Sequence, residues 1–225
     1  MRQEDAEGQA KIFPDLSALP RCDQIDMTRT IIGMQRQGKT ELTKYFIRRR
    51  RRPVIIVNPL DEKYPGIKFA EYGIVKPHLE LVRYINRRGL QISIPLNFVT
   101  GQKEHFRVAC EIVKRCKDVM LVADEIDMFD SPNNTDPTFM KLIQYGDGHY
   151  QADIVTTSRR PKNISVHLRS QTQEWYIFRI QEPADVDYLK KIHKDFPALI
   201  ERLEMYHYIY YDTFNPPEIR EPIEI

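Results

Sequence analysis

Apolar and polar positions switch between two periods along this chain. Thr28–Ile32 is a short β-rich run, and Val54–Val57 is a bare β-branched run of the kind buried on both faces of a parallel sheet. Val119–Ala123, Asp153–Thr157 and Trp175–Ile180 extend the series of strands; Gln91–Ile94 is a weaker member and Tyr206–Tyr211 an aromatic one. Helical composition predicts helices over Lys39–Arg50, His78–Arg88, Glu104–Arg115, Asp136–Tyr145 and Asp185–His193, and a short piece at Phe196–Leu203. Strands that alternate with helices predict an α/β fold, a mostly parallel sheet with helices on both faces. Residues 1–27 are polar and read as an N-terminal arm, 28–213 as the α/β domain, and 214–225, rich in proline, as a non-helical tail.

One junction in this pattern carries chemistry. The strand at Thr28–Ile32 runs into Gly33-Met34-Gln35-Arg36-Gln37-Gly38-Lys39-Thr40, and a helix begins at Lys39. Glycines let such a loop curl its N–H groups inward around phosphates, and the helix adds its positive N-terminal end. Lys39 is then the reader of the β- and γ-phosphates and Thr40 the hydroxyl ligand of Mg²⁺. A second apolar strand ends in Asp124-Glu125, at the strand end where α/β sheets bind ligands. Asp124 is expected to hold Mg²⁺ through its water shell and Glu125 to polarise the attacking water, a role that hydrolysis of ATP needs and a simple kinase does not. Asp127 and Asp130 read as solvated loop residues. The next strand ends in Ser158-Arg159-Arg160-Pro161, where arginines suit stabilisation of transferring phosphate.

Composition narrows the setting. Lys and Arg number 34 against 32 Asp and Glu, so overall charge does not point to a polyanion and any nucleic-acid surface must come from local clusters. The three cysteines form no CxxC; Cys110 and Cys116 read as apolar fillers of one helix in a reduced chain. No apolar run reaches the ~20 residues of a membrane span, and the polar start lacks a signal-peptide core, which predicts a soluble intracellular protein.

The order GMQRQGKT, VMLVADEID, DIVTTSRRP and LRSQTQEWYIFRIQEPAD resembles the FtsK/HerA superfamily of DNA-pumping ATPases. Within it the chain is most similar to the small genome-packaging ATPases of tailless double-jelly-roll viruses, from about Thr28 to Asp187. The resemblance implies a RecA-like P-loop NTPase core that binds ATP and Mg²⁺. It also implies self-assembly into a ring, usually a hexamer, that translocates double-stranded DNA, with capsid vertex or portal proteins as partners. The setting implied is the host cytoplasm or the virion vertex; a membrane-associated partner is compatible with it. Two positions depart from the family. Arg159 stands where a Gln is usual, and the region of Gly148 lacks the arginine often used as a trans finger. The expectation is that Arg159 or Arg160 has taken that duty, with Arg169 and Arg179 as weaker candidates.

Arg48, Arg49, Arg50, Arg51 and Arg52 form the strongest basic run and are the candidate DNA contacts, with a subunit or portal contact as an equal alternative. Tyr206, Tyr208, Tyr210 and Tyr211 are read as sheet packing in preference to a stacking platform for bases. The competing functions are a filamentous-phage assembly or conjugation-type secretion ATPase, and a slow nucleotide-gated switch or scaffold, against which Glu125 argues.

Overall fold

The computed structural model describes residues 26–71 and 77–223; the N-terminal arm up to residue 25 and residues 224–225 lie outside them. Its strands are β1 (Thr28–Ile32), β2 (Val54–Val57), β3 (Leu96–Phe98), β4 (Val119–Ala123), β5 (Ala152–Ser158), β6 (Glu174–Ile177), β7 (Tyr208–Tyr211) and β8 (Glu218–Arg220). The helices are α1 (Lys39–Arg49), α2 (Pro77–Arg88), α3 (Lys103–Cys116), α4 (Pro137–Tyr145), α5 (Val166–Gln171), α6 (Pro183–Lys190) and α7 (Phe196–Glu201). All eight strands join one sheet in the order β3-β2-β4-β5-β1-β6-β7-β8. The first six in that order are parallel; β7 and β8 complete the sheet antiparallel.

Alternate residues of each central strand feed two separate cores. Ile32, Ile55, Leu121 and Ile154 face a large core closed by residues of α2 through α7. Ile31, Ile56, Val122 and Val155 face a smaller one closed by Leu42, Phe46 and Ile47 of α1 and by Tyr64. Both faces are covered, as buried parallel strands require; among the described residues, α1 and the segment around Tyr64 cover one face without another helix.

Three expectations are corrected. The strand expected at Gln91–Ile94 lies instead at Leu96–Phe98, in register with Ile55–Val57. Pro95, which has no N–H to donate, precedes it, and Ile92 is half exposed whereas Leu96 and Phe98 are buried. Asp130 is fully buried beside Ser165 and Thr135, and burial pushes its carboxyl up; it is not a solvated loop acid. Cys110 is buried in α3 as a filler, but Cys116 at the helix end is exposed. In the tail, Glu218–Arg220 adds an edge strand, and its Arg220 guanidinium sits 3.9 Å from the centre of the Tyr210 ring.

Candidate nucleotide site

The sheet order explains why the motifs meet. β5 lies between the phosphate-loop strand β1 and the carboxylate strand β4, with Ile32 beside Ser158 and Ala123 beside Thr156. All three parallel strands therefore release their motifs at the same sheet edge, where α/β folds bind ligands. The chain at Gly33 is pinned by its N–H to the Ser158 carbonyl (3.2 Å), and Met34 by its N–H to the Arg179 carbonyl (3.1 Å). Gly33 has φ +153°, and a side chain there would put a Cβ 2.5 Å from that of Phe178. Gly38 has φ +108° and caps α1 without any side-chain hydrogen bond. Both positions need glycine, and the first N–H groups of α1 are left for an anion.

These residues open onto a cavity of about 570 Å³ whose walls include Gln35, Arg36, Gly38, Lys39, Thr40, Asp124, Glu125 and Arg159. Lys39 Nζ donates to the carbonyls of Gly33 (2.7 Å) and Met34 (3.0 Å). Burial lowers its pKa from the ordinary lysine value, against the opposing pull of Glu125 and Asp124. Asp124 accepts from the Thr157 hydroxyl and is also hydrogen-bonded by the buried Tyr64 hydroxyl. Glu125 holds a left-handed φ of +45°, its N–H donating to Thr157 Oγ1 (3.0 Å). A non-glycine residue there is strained, and such strain gathers at functional sites. Burial raises the Glu125 carboxyl above the ordinary carboxylate value; Arg159 and Lys39 oppose that rise.

Arg159 is engaged within its own chain. Its Nε donates to Glu125 Oε1 at 2.7 Å. In the amide orientation that matches donors to acceptors, the Gln35 carbonyl accepts from both Arg159 Nη atoms (2.6 and 3.0 Å). Arg160 turns away from the cavity: its Nε donates to the buried Asp185 of α6 (3.0 Å). Arg169 lies over the Tyr188 ring and donates to its hydroxyl. Arg179 is exposed beside the phosphate loop, to which its carbonyl is bonded. Asp127, half-buried, accepts from Ser158 Oγ (3.0 Å) and fixes the turn that carries the two arginines.

The basic run lies at the far end of α1 from this cavity. Arg49 sits 4.8 Å from the Tyr45 ring centre, Arg50 donates to the carbonyls of Ile92 (3.0 Å) and Ile47, and Arg52 bonds the Asp26 carboxylate and the Gln151 carbonyl. Arg48 lies against Gly66, and Arg51 is exposed. Tyr208 and Tyr210 are buried against Tyr176, as expected of sheet packing, whereas Tyr206 sits exposed on the cavity wall with φ +69°.

The motifs assign no site role to four wall or support residues: Glu62, Tyr64, Thr157 and Tyr206. Glu62 is placed by Asn58, a fully buried side chain that accepts from the Glu62 N–H (2.8 Å) and donates to its carbonyl (3.0 Å). A polar side chain closing directly after a buried strand was the one local clue to that loop.

The fold and the loop define the class: this is the fold of the P-loop NTPases. The genome packaging NTPase B204 of Sulfolobus turreted icosahedral virus 2, in complex with ATP-gammaS, superposes with a TM-score of 0.72; it is 16% identical, over 88% of this chain and 98% of that one. VirB4 of Thermoanaerobacter pseudethanolicus gives 0.55 at 10% identity, over 88% and 89%. The N-terminal domain of zonular occludens toxin from Neisseria meningitidis gives 0.52 at 12% identity, over 89% and 96%. No protein-family model matches the chain, and no curated protein matches it. At these identities the likeness establishes the expected fold.

Proposed function

We propose that this chain is an ATP-hydrolysing motor that moves double-stranded DNA, in viral genome packaging. The observation that carries the hydrolytic part is the convergence, at one sheet edge, of an uncapped helix N-terminus, Lys39 and the Asp124–Glu125 pair. The loop N–H groups and Lys39 bind the β- and γ-phosphates and neutralise charge that builds on them. Glu125 orients the attacking water and takes its proton; the water oxygen bonds to the γ-phosphorus as the bond to the bridging oxygen breaks, leaving that electron pair on ADP. Arg159 holds the Glu125 carboxylate charged and aimed.

The described residues contain no group of three or more His, Cys, Asp or Glu arranged to hold a metal. Mg²⁺ in nucleotide sites takes mainly phosphate oxygens and water as ligands, so a hydroxyl and a carboxylate on the cavity wall are donors enough. Thr40 and Asp124 are the residues to hold it, and bound there it would neutralise phosphate charge.

Double-stranded DNA and ring assembly rest on the resemblance in motif order; DNA packaging is supported by the likeness, over 89% of this chain, to the DNA-packaging ATPase from Sulfolobus turreted icosahedral virus. Packaging is the preferred reading because genome packaging is the role given for a solved structure that this chain matches over 98% of that structure's length. The test is ATPase activity with and without double-stranded DNA, with molecular mass measured in the same buffer. Turnover stimulated by DNA in an oligomer is expected; a monomer indifferent to DNA would remove the motor reading.

A further inference from the structure

The cavity has a direction. Asp124, Glu125 and Arg159 lie on the β4–β5 side of the phosphate loop, so the terminal phosphate of a bound nucleotide points that way. Its other end must leave across Gly38 and Glu41, toward the β6–β8 side of the sheet. There a second cleft of about 330 Å³ shares Gly38, Glu41 and Tyr206 with the phosphate cavity. Its remaining walls are Leu42 of α1, Phe178 just beyond β6, and Pro222 and Ile223 just beyond β8. Glu41 is the one ionisable carboxylate on the described walls, and it is paired with Lys44 Nζ at 2.6 Å.

We propose that this apolar cleft receives the base of the nucleotide, with Tyr206 and the Pro222–Ile223 segment as its outer walls, and that it accepts adenine and guanine nearly alike. The inference rests on the nucleotide reading above. Its size and lining suit a flat heterocycle, and aromatic and apolar walls favour such a ring by contact area. A base is told from another by the hydrogen bonds along its edge, and a pocket with apolar walls rejects an analogue only weakly. The chain beyond β8 thereby completes the nucleotide site from the far end of the sequence.

The test is calorimetric binding to the full chain, with Mg²⁺, of ATP, GTP and inorganic triphosphate, for wild type, Tyr206→Ala and Tyr206→Phe. ATP and GTP are expected to bind within about threefold of each other, since apolar walls discriminate weakly. Tyr206→Ala should weaken both by about tenfold, the loss of one aromatic wall, and leave triphosphate unchanged, while Tyr206→Phe stays near wild type. Equal weakening of triphosphate would mean that Tyr206 only supports the loop, and would overturn the inference. So would unchanged ATP binding in Tyr206→Ala, or GTP binding more than about 30-fold weaker than ATP. A wild-type chain that binds neither ATP nor triphosphate would overturn the nucleotide reading itself, a separate result.

Discussion

The two ends of strand β1 carry two charge clusters built from the same residue types and put to different uses. Near its start, Arg29 is sealed inside the sheet, 1% exposed, donating to Glu174 (2.8 Å) and to Asp153. Glu174 accepts in addition from the hydroxyls of Tyr176 (2.9 Å) and Tyr210 (3.0 Å). At its end, Lys39, Asp124, Glu125 and Arg159 line an open cavity, and a strained backbone holds Glu125. A sealed cluster has partners for its charges and nothing to offer a ligand. The open one keeps charge at the surface of a cavity, where an incoming phosphate changes the balance. Buried charge alone therefore does not mark the site; buried charge facing a cavity does.

That contrast can be broken at either end. Lys39→Ala should lower ATP hydrolysis by about 10²–10³-fold, the usual loss when one electrostatic stabiliser of a transition state goes. Its melting temperature should stay within a few degrees of wild type, because Lys39 bonds only to its own loop. Arg29→Met should do the reverse. It leaves Asp153 and Glu174 buried without their cation, and urea unfolding should show a loss of about 3–5 kcal/mol. An Arg29→Met chain as stable as wild type would mean that the sealed cluster contributes nothing by its pairing.

Arg159→Ala is a smaller change, expected to slow turnover about tenfold through loss of a charge-assisted hydrogen bond to Glu125. It also tests where the arginine acts. Mixing Arg159→Ala subunits with Lys39→Ala subunits separates the two cases. An arginine serving its own Glu125 restores nothing, because every site stays defective. A finger reaching into a neighbour's site would complete the Arg159→Ala sites and raise turnover per Arg159→Ala subunit. The smallest effect is on pH dependence. Glu125 must be ionised to take a proton, so the rate should fall as pH drops through its pKa, which burial raises. Arg159 opposes that rise, so the acid limb should move to higher pH in Arg159→Ala. A limb that moves down would contradict the pairing.

The sequence made the open cluster legible where its parts were contiguous. Gly33–Thr40 and Asp124-Glu125 each end a strand, and a strand's end needs no knowledge of the rest of the chain. The supports were hidden because topology assembles them. Thr157 reaches both Asp124 and Glu125 only because β5 is inserted between β1 and β4, and Tyr64 reaches Asp124 by folding a loop back from β2. The sheet's strands were readable from apolar runs except at β3, where Pro95 displaced the pairing segment by several residues, and at β8, whose Glu218–Arg220 holds no apolar run. Asp130 looked like a solvated acid because the short turn Ile126–Met128, which carries it inward to Ser165, leaves no periodic signal. Arg48–Arg52 is the converse case: five adjacent arginines read as one patch, yet Arg49, Arg50 and Arg52 are each engaged locally.

The central claim is that the open end of β1 hydrolyses ATP with Glu125 as the acceptor of the water's proton. Glu125→Gln keeps the shape and removes the base, so binding and turnover measured on one sample separate the two. The account predicts MgATP affinity within about twofold of wild type and phosphate release slower by about 10²–10⁴-fold. Phosphate release at the wild-type rate in Glu125→Gln, with ATP bound, would contradict it.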